Sequence, residues 1–258
     1  MRLRAITFDF WSTLVDGTPT PESAARRLSQ LHAHIVGAGH ACTIYELRTA
    51  FERMLDQVTE EARESLVDVG PPGRWQVLAR ELGIDDGRVG FEVFERAYED
   101  ITLNPLAAAM PHVRVAVEAM KQAGYRLGVI CNTGTTGGRT LREVLRRHGL
   151  LDCFDVTVFS NEFGISKPHP AIFEHTLTQL GGIAASEALH VGDLEELDVE
   201  GARHAGMLAA LYAPYEPPGS TEADLVVRDW RDFAGQVAGL TNGSSTEASR
   251  PTIGRKGD

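Results

Sequence analysis

The sequence predicts an α/β protein: a doubly wound, Rossmann-like parallel sheet with an all-helical segment inserted after the first strand. Two observations support this fold class. Short apolar runs alternate with helix-period segments over residues 105–240, and such alternation is typical of parallel sheets covered by helices. Residues 16–104 break this alternation and show helical spacing throughout, which indicates a separate helical unit.

Six short apolar runs are expected to form the strands of the sheet. The first, at residues 3–10, carries Asp9 close to its C-terminal end. The others are bounded by turn residues, as strands usually are. They lie at residues 125–131, 155–160, 188–191, 207–212 and 223–227.

Helical spacing defines the remaining elements. In the core it covers residues 113–123, 139–148, 170–180 and 198–205. In the inserted segment it covers residues 24–36, 45–69, 75–82 and 91–103, with prolines between them. We therefore expect residues 1–15 and 105–240 to form the α/β core and residues 16–104 to form a helical cap over the carboxyl edge of the sheet. Residues 241–258 offer little apolar surface to bury, so we expect a disordered tail there.

Composition excludes several classes of function. The net charge of −11 argues against a nucleic-acid partner, which requires a basic surface. No apolar run approaches the ~20 residues that a membrane span needs, and the N-terminus lacks a signal-peptide pattern. Cys42, Cys131 and Cys153 are too scattered for a disulfide framework or a zinc site. A cytoplasmic location is the simplest expectation, and nothing in the motifs predicts an oligomeric state.

Two loops are the first candidates for a ligand site, because ligands of open α/β sheets bind beyond the carboxyl ends of the strands. Asp9 ends a buried strand and is placed as a nucleophile or a metal ligand would be; an acid that caps the next turn is the alternative. Residues 131–134 (Cys-Asn-Thr-Gly) precede a helix, where backbone N–H groups can bind an anion. An ordinary glycine-rich turn would show the same pattern.

Two further loops carry charge at the same edge. Lys167 is one of only three lysines among 25 basic residues, and Pro168 holds it at a helix entrance. Asp193 and Asp198 follow another strand, and carboxylates gathered near Asp9 would repel one another unless a cation lay among them. Oxygen ligands of this kind suit Mg²⁺. For Asp198, a helix N-cap is a credible alternative.

This ordered set of motifs resembles the haloacid-dehalogenase superfamily, in particular its branches with an all-helical cap. The resemblance covers residues 1–15 and roughly 105–235, and it includes the supporting segments at residues 161–173 and 201–207. Each motif alone is weak, but four motifs in this order are highly specific. The resemblance implies a hydrolase that acts on a small, phosphorylated molecule or on a 2-haloacid.

The resemblance also implies a role for each motif residue. Asp9 would attack phosphorus and form an aspartyl-phosphate, and Lys167 would stabilise the transferring group. The carboxylates of Asp9 and Asp193 and the backbone carbonyl of Trp11 would hold Mg²⁺. Asp198 would contact the groups that bind the ion, or would bind the ion through a water molecule. The residues assigned to the substrate are Thr13, Cys131, Asn132 and Thr133.

Two positions depart from the phosphatase pattern. Phosphatases of this superfamily usually carry an aspartate where this chain has Trp11, and that aspartate acts as general acid and base. Its loss would cost ~10²–10⁴ in rate. Cys131 stands where a serine or threonine is usual, and a thiol is a weaker hydrogen-bond donor, although Thr133 can compensate.

Three functions therefore stay open at this point. The acidic motif favours a Mg²⁺-dependent phosphatase of a small metabolite. Trp11 favours a metal-independent 2-haloacid dehalogenase, which would need a cap arginine to hold the substrate carboxylate. Trp11 and Cys131 together allow a catalytically silent protein that binds a phosphate ligand or a partner. The candidate cap arginines are Arg26, Arg27, Arg48, Arg53 and Arg74. The histidines, including His190, show no metal-ligand spacing and are interpreted as structural or surface residues.

Overall fold

A computed structural model of the chain describes residues 2–17, 20–84, 89–215 and 219–241. Its centre is a six-stranded parallel sheet with the strand order β3-β2-β1-β4-β5-β6. The predicted doubly wound sheet is confirmed. The strands are β1 (Ala5–Phe8), β2 (Arg126–Cys131), β3 (Val156–Phe159), β4 (Ala188–Gly192), β5 (Leu208–Tyr212) and β6 (Leu225–Val227).

The strand order places the first motif at the middle of the sheet. β1 pairs with β2 on one side and with β4 on the other, so that Ala5 lies opposite both Arg126 and Ala188. All four residues of β1 are buried, as expected for a parallel strand that is covered on both faces. The loops that follow these three strands therefore open at one edge of the sheet, side by side.

Helices cover both faces of the sheet. One face packs against α5 (Val113–Gln122), α6 (Gly138–Arg147) and α10 (Phe233–Thr241), and its core includes Phe8, which contacts the ring of Phe233. The other face packs against α8 (Pro170–Gln179) and α9 (Glu200–His204). A short helical turn, α7 (Ser160–Phe163), follows β3 directly. Single 3₁₀ turns precede β3 and β4, and a wide helical turn at Glu195–Val199 leads into α9.

The insertion is helical, as the spacing predicts. It consists of α1 (Pro21–Gly37), α2 (Ile44–Ser65), α3 (Gly70–Glu81) and α4 (Phe91–Leu103). Capping boxes begin the first two helices, because Thr20 and Thr43 each accept a hydrogen bond from the third helical N–H. These helices have their own apolar core, which contains Leu31, Met54 and Phe94. Below, "insertion" means residues 20–84 and 89–104.

Two helix boundaries in the insertion differ from the prediction by four or five residues. The helix predicted over residues 45–69 ends at Ser65, where Leu66 adopts a left-handed conformation. The helix predicted to begin at Trp75 begins at Gly70 instead, since prolines are well tolerated in a first turn. The residues between them form a short connection rather than a helix, and this connection carries Asp68.

The tail prediction falls almost entirely outside the described residues. Thr241, its predicted first residue, is the last residue of α10, which corrects that boundary by one position. Residues 242–258 are not among those described. Within the described chain, none of the helices combines the length and the apolar character required to span a bilayer.

Candidate active site

The loops after β1, β2 and β4 bring the predicted site residues together at the carboxyl edge of the sheet. Asp9 directly follows β1, Cys131 ends β2, and Asp193 directly follows β4. Lys167 reaches the same place from the segment between α7 and α8. This edge is where open parallel sheets place their ligands.

A buried lysine links two of the carboxylates. Lys167 Nζ lies 2.5 Å from Oδ1 of Asp9 and 2.6 Å from Oδ1 of Asp198. The side chains of Lys167 and Asp198 are each 2% exposed, and that of Asp9 is 11% exposed. With so little water nearby, the ion pairs are weakly screened, so the geometry of the three side chains is strongly determined.

Asp198 is held by more than the lysine. Its Oδ1 also lies 3.1 Å from Nε2 of His190, and its Oδ2 accepts a hydrogen bond from the N–H of Leu194 at 3.0 Å. His190 is buried in β4, and its Nδ1 lies 2.9 Å from the hydroxyl of Thr7 in β1. Gly192 is required beside this carboxyl, because a Cβ there would fall well inside van der Waals contact with Asp198.

These contacts shift the pKa values of the buried groups in opposite directions. Burial raises the pKa of Asp9 to about 7, against the opposing attraction of Lys167. Burial also disfavours the charged form of Asp198, but the charges and hydrogen bonds of Lys167 and His190 outweigh it and hold the pKa of Asp198 below its usual range. Burial opposes the charge of Lys167 as well, yet the two carboxylates raise its pKa. Asp198 and Lys167 therefore form the permanent ion pair.

The acidic cluster fits a divalent cation. One carboxylate oxygen each from Asp9, Asp193 and Asp198 lies within 4.8 Å of the others. Asp193 is half-buried, and burial together with the charge of Asp198 raises its pKa to about 6. The hydroxyl of Thr13 lies 3.5 Å from Oδ1 of Asp193. Both oxygens of Asp198 already accept hydrogen bonds, so Asp9 and Asp193 are the carboxylates with the most freedom to bind an ion.

Trp11 follows the nucleophile candidate by two positions and is half-buried. Its ring packs edge-on against Phe10, with the ring centroids 4.8 Å apart. Gly17 lies against the Trp11 side chain. The next residue, Ser12, has a positive φ of 58°, which turns the chain sharply after Asp9. Trp11 thereby lines the cleft between the core and the insertion.

The loop after β2 is bound to the lysine segment. The side-chain amide of Asn132 accepts from the backbone N–H of Lys167 at 2.8 Å and donates to its carbonyl at 2.9 Å. Cys131 is fully buried, and burial raises the pKa of its thiol well above the ordinary value, so the thiol stays protonated. Asn132, assigned to the substrate by resemblance, thus has its side chain engaged in positioning Lys167.

Thr133 is buried, and its hydroxyl is also engaged within the protein. It donates to Oδ2 of Asp68 at 3.2 Å, while its backbone N–H donates to the hydroxyl of Ser160 at 2.9 Å. The structure therefore directs this hydroxyl towards the insertion.

Comparison with known proteins matches this arrangement to one family. A family model described as haloacid dehalogenase-like hydrolase covers residues 3–206. This chain belongs to the haloacid dehalogenase-like hydrolases. The predicted family and hydrolase class are confirmed.

Relatives of this haloacid dehalogenase-like hydrolase include named phosphatases. Pyrimidine 5′-nucleotidase YjjG of Escherichia coli is 34% identical over 52% of this chain and 56% of its own length. The glyceraldehyde 3-phosphate phosphatase of Methanopyrus kandleri is 27% identical over 80% of this chain and 82% of its own. The chain spans little more than half the length of the first of these relatives.

Solved structures of a dehalogenase and of a phosphatase are both similar to this chain. A 2-haloacid dehalogenase from Pseudomonas syringae superposes with a TM-score of 0.71 at 25% identity, and the match covers 92% of this chain and 99% of the other. A HAD phosphatase from Thermococcus onnurineus gives a TM-score of 0.64 at 25% identity with the same coverage. Likeness alone therefore does not choose between the two reactions.

In this haloacid dehalogenase-like hydrolase, three residues at or beside the site are not predicted as site residues from the sequence. Asp68 falls inside the helix predicted over residues 45–69, and Ser160 is predicted only as the end of a strand. The sequence predicts a structural or surface role for His190, but its side chain is buried and contacts the carboxylate of Asp198 directly. Its place on β4, three residues before Asp193, is the one signal that could have identified it.

Among the cavities between the core and the insertion, two have Asn132 and Gly134 in their linings. The first has a volume of about 380 Å³ and is lined by Trp11, Arg26 and Arg27 among others. The second, about 630 Å³, is lined by Asp68, Arg74 and Lys167 among others. Of the five candidate arginines, Arg48 and Arg53 line neither cavity.

Proposed function

We propose that this protein is a Mg²⁺-dependent phosphatase that acts on a small phosphorylated metabolite through an aspartyl-phosphate on Asp9. The observation that carries the proposal is the cluster of three carboxylates, with oxygens within 4.8 Å of one another, beside a buried lysine. A bound cation explains why the partly buried carboxylate of Asp193 lies so close to those of Asp9 and Asp198. The phosphatases among the relatives support the same reaction class.

Asp9 and Asp193 would hold the Mg²⁺ ion, with the backbone carbonyl of Trp11 as a further oxygen ligand and Asp198 in support. Oxygen donors are the ligands that Mg²⁺ prefers. When bound, the ion neutralises charge on the phosphoryl oxygens and on the carboxylates around it. It would also favour the ionised form of Asp9, which burial alone disfavours.

Asp9 would supply the nucleophile. One carboxylate oxygen forms a bond to phosphorus while the bond from phosphorus to the leaving oxygen breaks. Lys167, fixed by Asp9 and Asp198, offers positive charge to the transferring group without moving. A water molecule then forms a bond to phosphorus as the bond from phosphorus to the Asp9 oxygen breaks. A proton of that water passes to a phosphoryl oxygen or to solvent, and phosphate and the Asp9 carboxylate are released.

The leaving group must depart without a proton from position 11. An indole can donate a hydrogen bond but cannot transfer a proton near neutral pH. Substrates whose leaving oxygen is stable as an anion, such as acyl phosphates and aryl phosphates, are therefore favoured over alkyl phosphates.

The proposal is tested by phosphate release from acetyl phosphate and p-nitrophenyl phosphate, with Mg²⁺ or with excess chelator. We expect turnover that requires Mg²⁺ and disappears in Asp9→Asn, because the amide is a poor nucleophile and a poor metal ligand. Asp56→Asn, on an exposed position of α2, is the matched control and should keep full activity. Turnover that survives in chelator would reject the metal-dependent mechanism. Absence of turnover in every condition would favour a silent, ligand-binding protein.

A metal-independent 2-haloacid dehalogenase is the second candidate. It is favoured by Trp11 together with Arg26 and Arg27, which line the same cavity and could hold a carboxylate. Halide departs without a proton, so this reaction needs no acid at position 11. Halide release from 2-chloropropionate in the presence of chelator would establish it, and loss of that release in Arg26→Met but not in Arg48→Met would identify the carboxylate site.

A further inference from the structure

We propose that Asp68 of the insertion is a positioning residue for the two catalytic loops that carry Asn132 and Lys167. The hydrogen bonds of the Asp68 side chain go to Gly70, Arg74, Thr133 and Ser160, and not to the carboxylates of the acidic cluster. Asp68 acts on the loops that hold Lys167 in place. The kinetic part of this inference rests on the proposed function, whereas the structural part does not.

Four hydrogen bonds converge on the Asp68 carboxylate. Oδ2 accepts from the hydroxyls of Ser160 and Thr133, and the distance to Thr133 is 3.2 Å. Oδ1 accepts from the N–H of Gly70 at 2.8 Å and from Nη1 of Arg74 at 2.7 Å. One oxygen is thus committed to the core and the other to the insertion. The side chain is only 3% exposed, so water cannot substitute for these donors.

Asp68 remains charged in this position. Burial opposes the charge, but Arg74 and the hydroxyl of Ser160 more than offset it, and the pKa of Asp68 lies below its ordinary value. A buried carboxylate that is paired and fully hydrogen-bonded is rigid, because any movement leaves a charge without partners. The side chain therefore defines one position of the insertion relative to the core.

The backbone beside Asp68 makes a second connection to the core. The N–H of Ser166 donates to the carbonyl of Leu66 at 2.9 Å, and the N–H of Asp68 donates to the carbonyl of Gly164 at 3.1 Å. Val67 and Ile165 pair as an antiparallel bridge. The core partner in this pairing is the segment that leads directly into Lys167.

The two connections converge on the nucleophile. Thr133, held by Asp68, is adjacent to Asn132, whose side chain binds both backbone groups of Lys167. Lys167 in turn contacts Asp9. Docking of the insertion and placement of the lysine are therefore coupled through the Asp68 side chain and through the backbone pairing beside it.

Asparagine reproduces this arrangement only in part. Its amide oxygen can accept from the N–H of Gly70 and from Arg74, but its nitrogen would then face the hydroxyls of Ser160 and Thr133, which would have to turn from donating to accepting, and the negative charge paired with Arg74 is lost. In Asp68→Asn we expect kcat for acetyl phosphate to fall about 10–100-fold, with KM changed less than threefold, because the lysine loses its position while the phosphate site keeps its charges. Ser160→Ala should give a smaller loss, and the double variant should be no slower than Asp68→Asn alone, since both act through one network.

Hydrogen exchange of the full-length, metal-free protein provides a readout that does not depend on turnover. Asp68→Asn should accelerate exchange in residues 132–138 and 160–167 and leave β5 (Leu208–Tyr212) unchanged, and the control Asp56→Asn should match wild type throughout. If wild type shows no turnover, this comparison decides the inference alone. Unchanged exchange in both loops, or a kcat within threefold of wild type, would overturn it.

Discussion

Nζ of Lys167 lies between Oδ1 of Asp9 and Oδ1 of Asp198, at 2.5 Å and 2.6 Å respectively. The ammonium group of Lys167 therefore orients the carboxylate of Asp9, the candidate nucleophile, and keeps the carboxylate of Asp198 ionised. The arrangement explains why Asp198, although in the acidic motif, has both of its oxygens committed to the protein. It also separates two roles for the acids: Asp198 positions the lysine, while Asp9 and Asp193 are available to a cation and a substrate.

Replacement of the lysine tests this separation. Lys167→Met keeps the length of the side chain but leaves two buried carboxylates without their counter-charge. Breaking a buried ion pair in this way costs about 3–5 kcal/mol. We expect a lower free energy of unfolding by denaturant and a loss of at least about 10³ in kcat/KM. Lys121→Met is the control, because Lys121 is 38% exposed and Asp155 keeps Arg126 as a second partner; a similar loss there would contradict the account.

Replacement of His190 tests whether its hydrogen bond holds the carboxylate of Asp198 in place. His190→Leu removes the imidazole that bonds Asp198 and Thr7, so Oδ1 of Asp198 keeps only Lys167 and the buried hydroxyl of Thr7 loses its partner, at a cost of about 1–3 kcal/mol. We expect reduced stability and a kcat lowered about tenfold, measured by denaturant titration and acetyl phosphate turnover. His204→Leu, on the exposed side of α9, should change the free energy of unfolding by less than about 0.5 kcal/mol. Equal effects of the two variants would count against the assigned role.

Metal binding should depend on pH in a defined direction. In the metal-free protein the pKa of Asp9 is raised to about 7 and that of Asp193 to about 6. A raised carboxyl pKa means that protons compete with the ion below that pH. We expect the Mg²⁺ dissociation constant, measured by calorimetry, to increase as pH falls from 8 to 5.5, with proton release on binding near pH 6.5. Affinity that stays constant over this range would contradict the assignment of these two ligands.

The same shifts predict how the metal-free fold responds to pH. Because the folded-state pKa of Asp9 exceeds its unfolded value, the folded protein binds more protons between about pH 4 and pH 7. The free energy of unfolding in chelator should therefore decrease as pH rises through this window. Asp9→Asn, which cannot ionise, should remove much of that slope; an unchanged slope would show that other groups dominate.

Trp11 tests the argument about the leaving group. Wild-type kcat/KM should fall steeply as the pKa of the leaving alcohol rises, because no proton is delivered from position 11. Trp11→Asp should increase kcat/KM for alkyl phosphates by up to about 10²-fold, towards the range of general acid catalysis, with little gain in kcat/KM for acetyl phosphate. Trp11→Phe is the control for the change in shape. A shallow dependence in wild type would indicate that another residue supplies the proton.

Much of the core could be predicted from the sequence because its signals are local. Each strand lies within two residues of its predicted apolar run, since buried parallel strands are short and continuously apolar. The order of motifs at strand ends predicted which side chains would meet at the sheet edge. Asp9 and Lys167 are 158 positions apart, but both were placed there by topology.

The contacts between the insertion and the core could not be predicted in this way. Asp68 and Ser160 are 92 positions apart and lie in different units, and no periodicity specifies how two units dock. The prolines after Asp68 indicated an interruption, but not that the interruption would reach the loop after β2. Likewise, the sequence indicated that Asn132 belongs to the site, whereas only the structure shows its side chain bound to the Lys167 backbone.

The covalent intermediate is the most direct test of the central claim. Acetyl phosphate would be mixed with wild-type protein and Mg²⁺, quenched in acid within milliseconds, and the peptide that contains Asp9 examined by mass spectrometry. The account predicts a phosphoryl group on Asp9 that forms with Mg²⁺, is absent in chelator, and is absent in Asp9→Asn under the same conditions. Phosphate release without any phosphoryl adduct on that peptide, or an adduct that forms equally well in chelator, would contradict it.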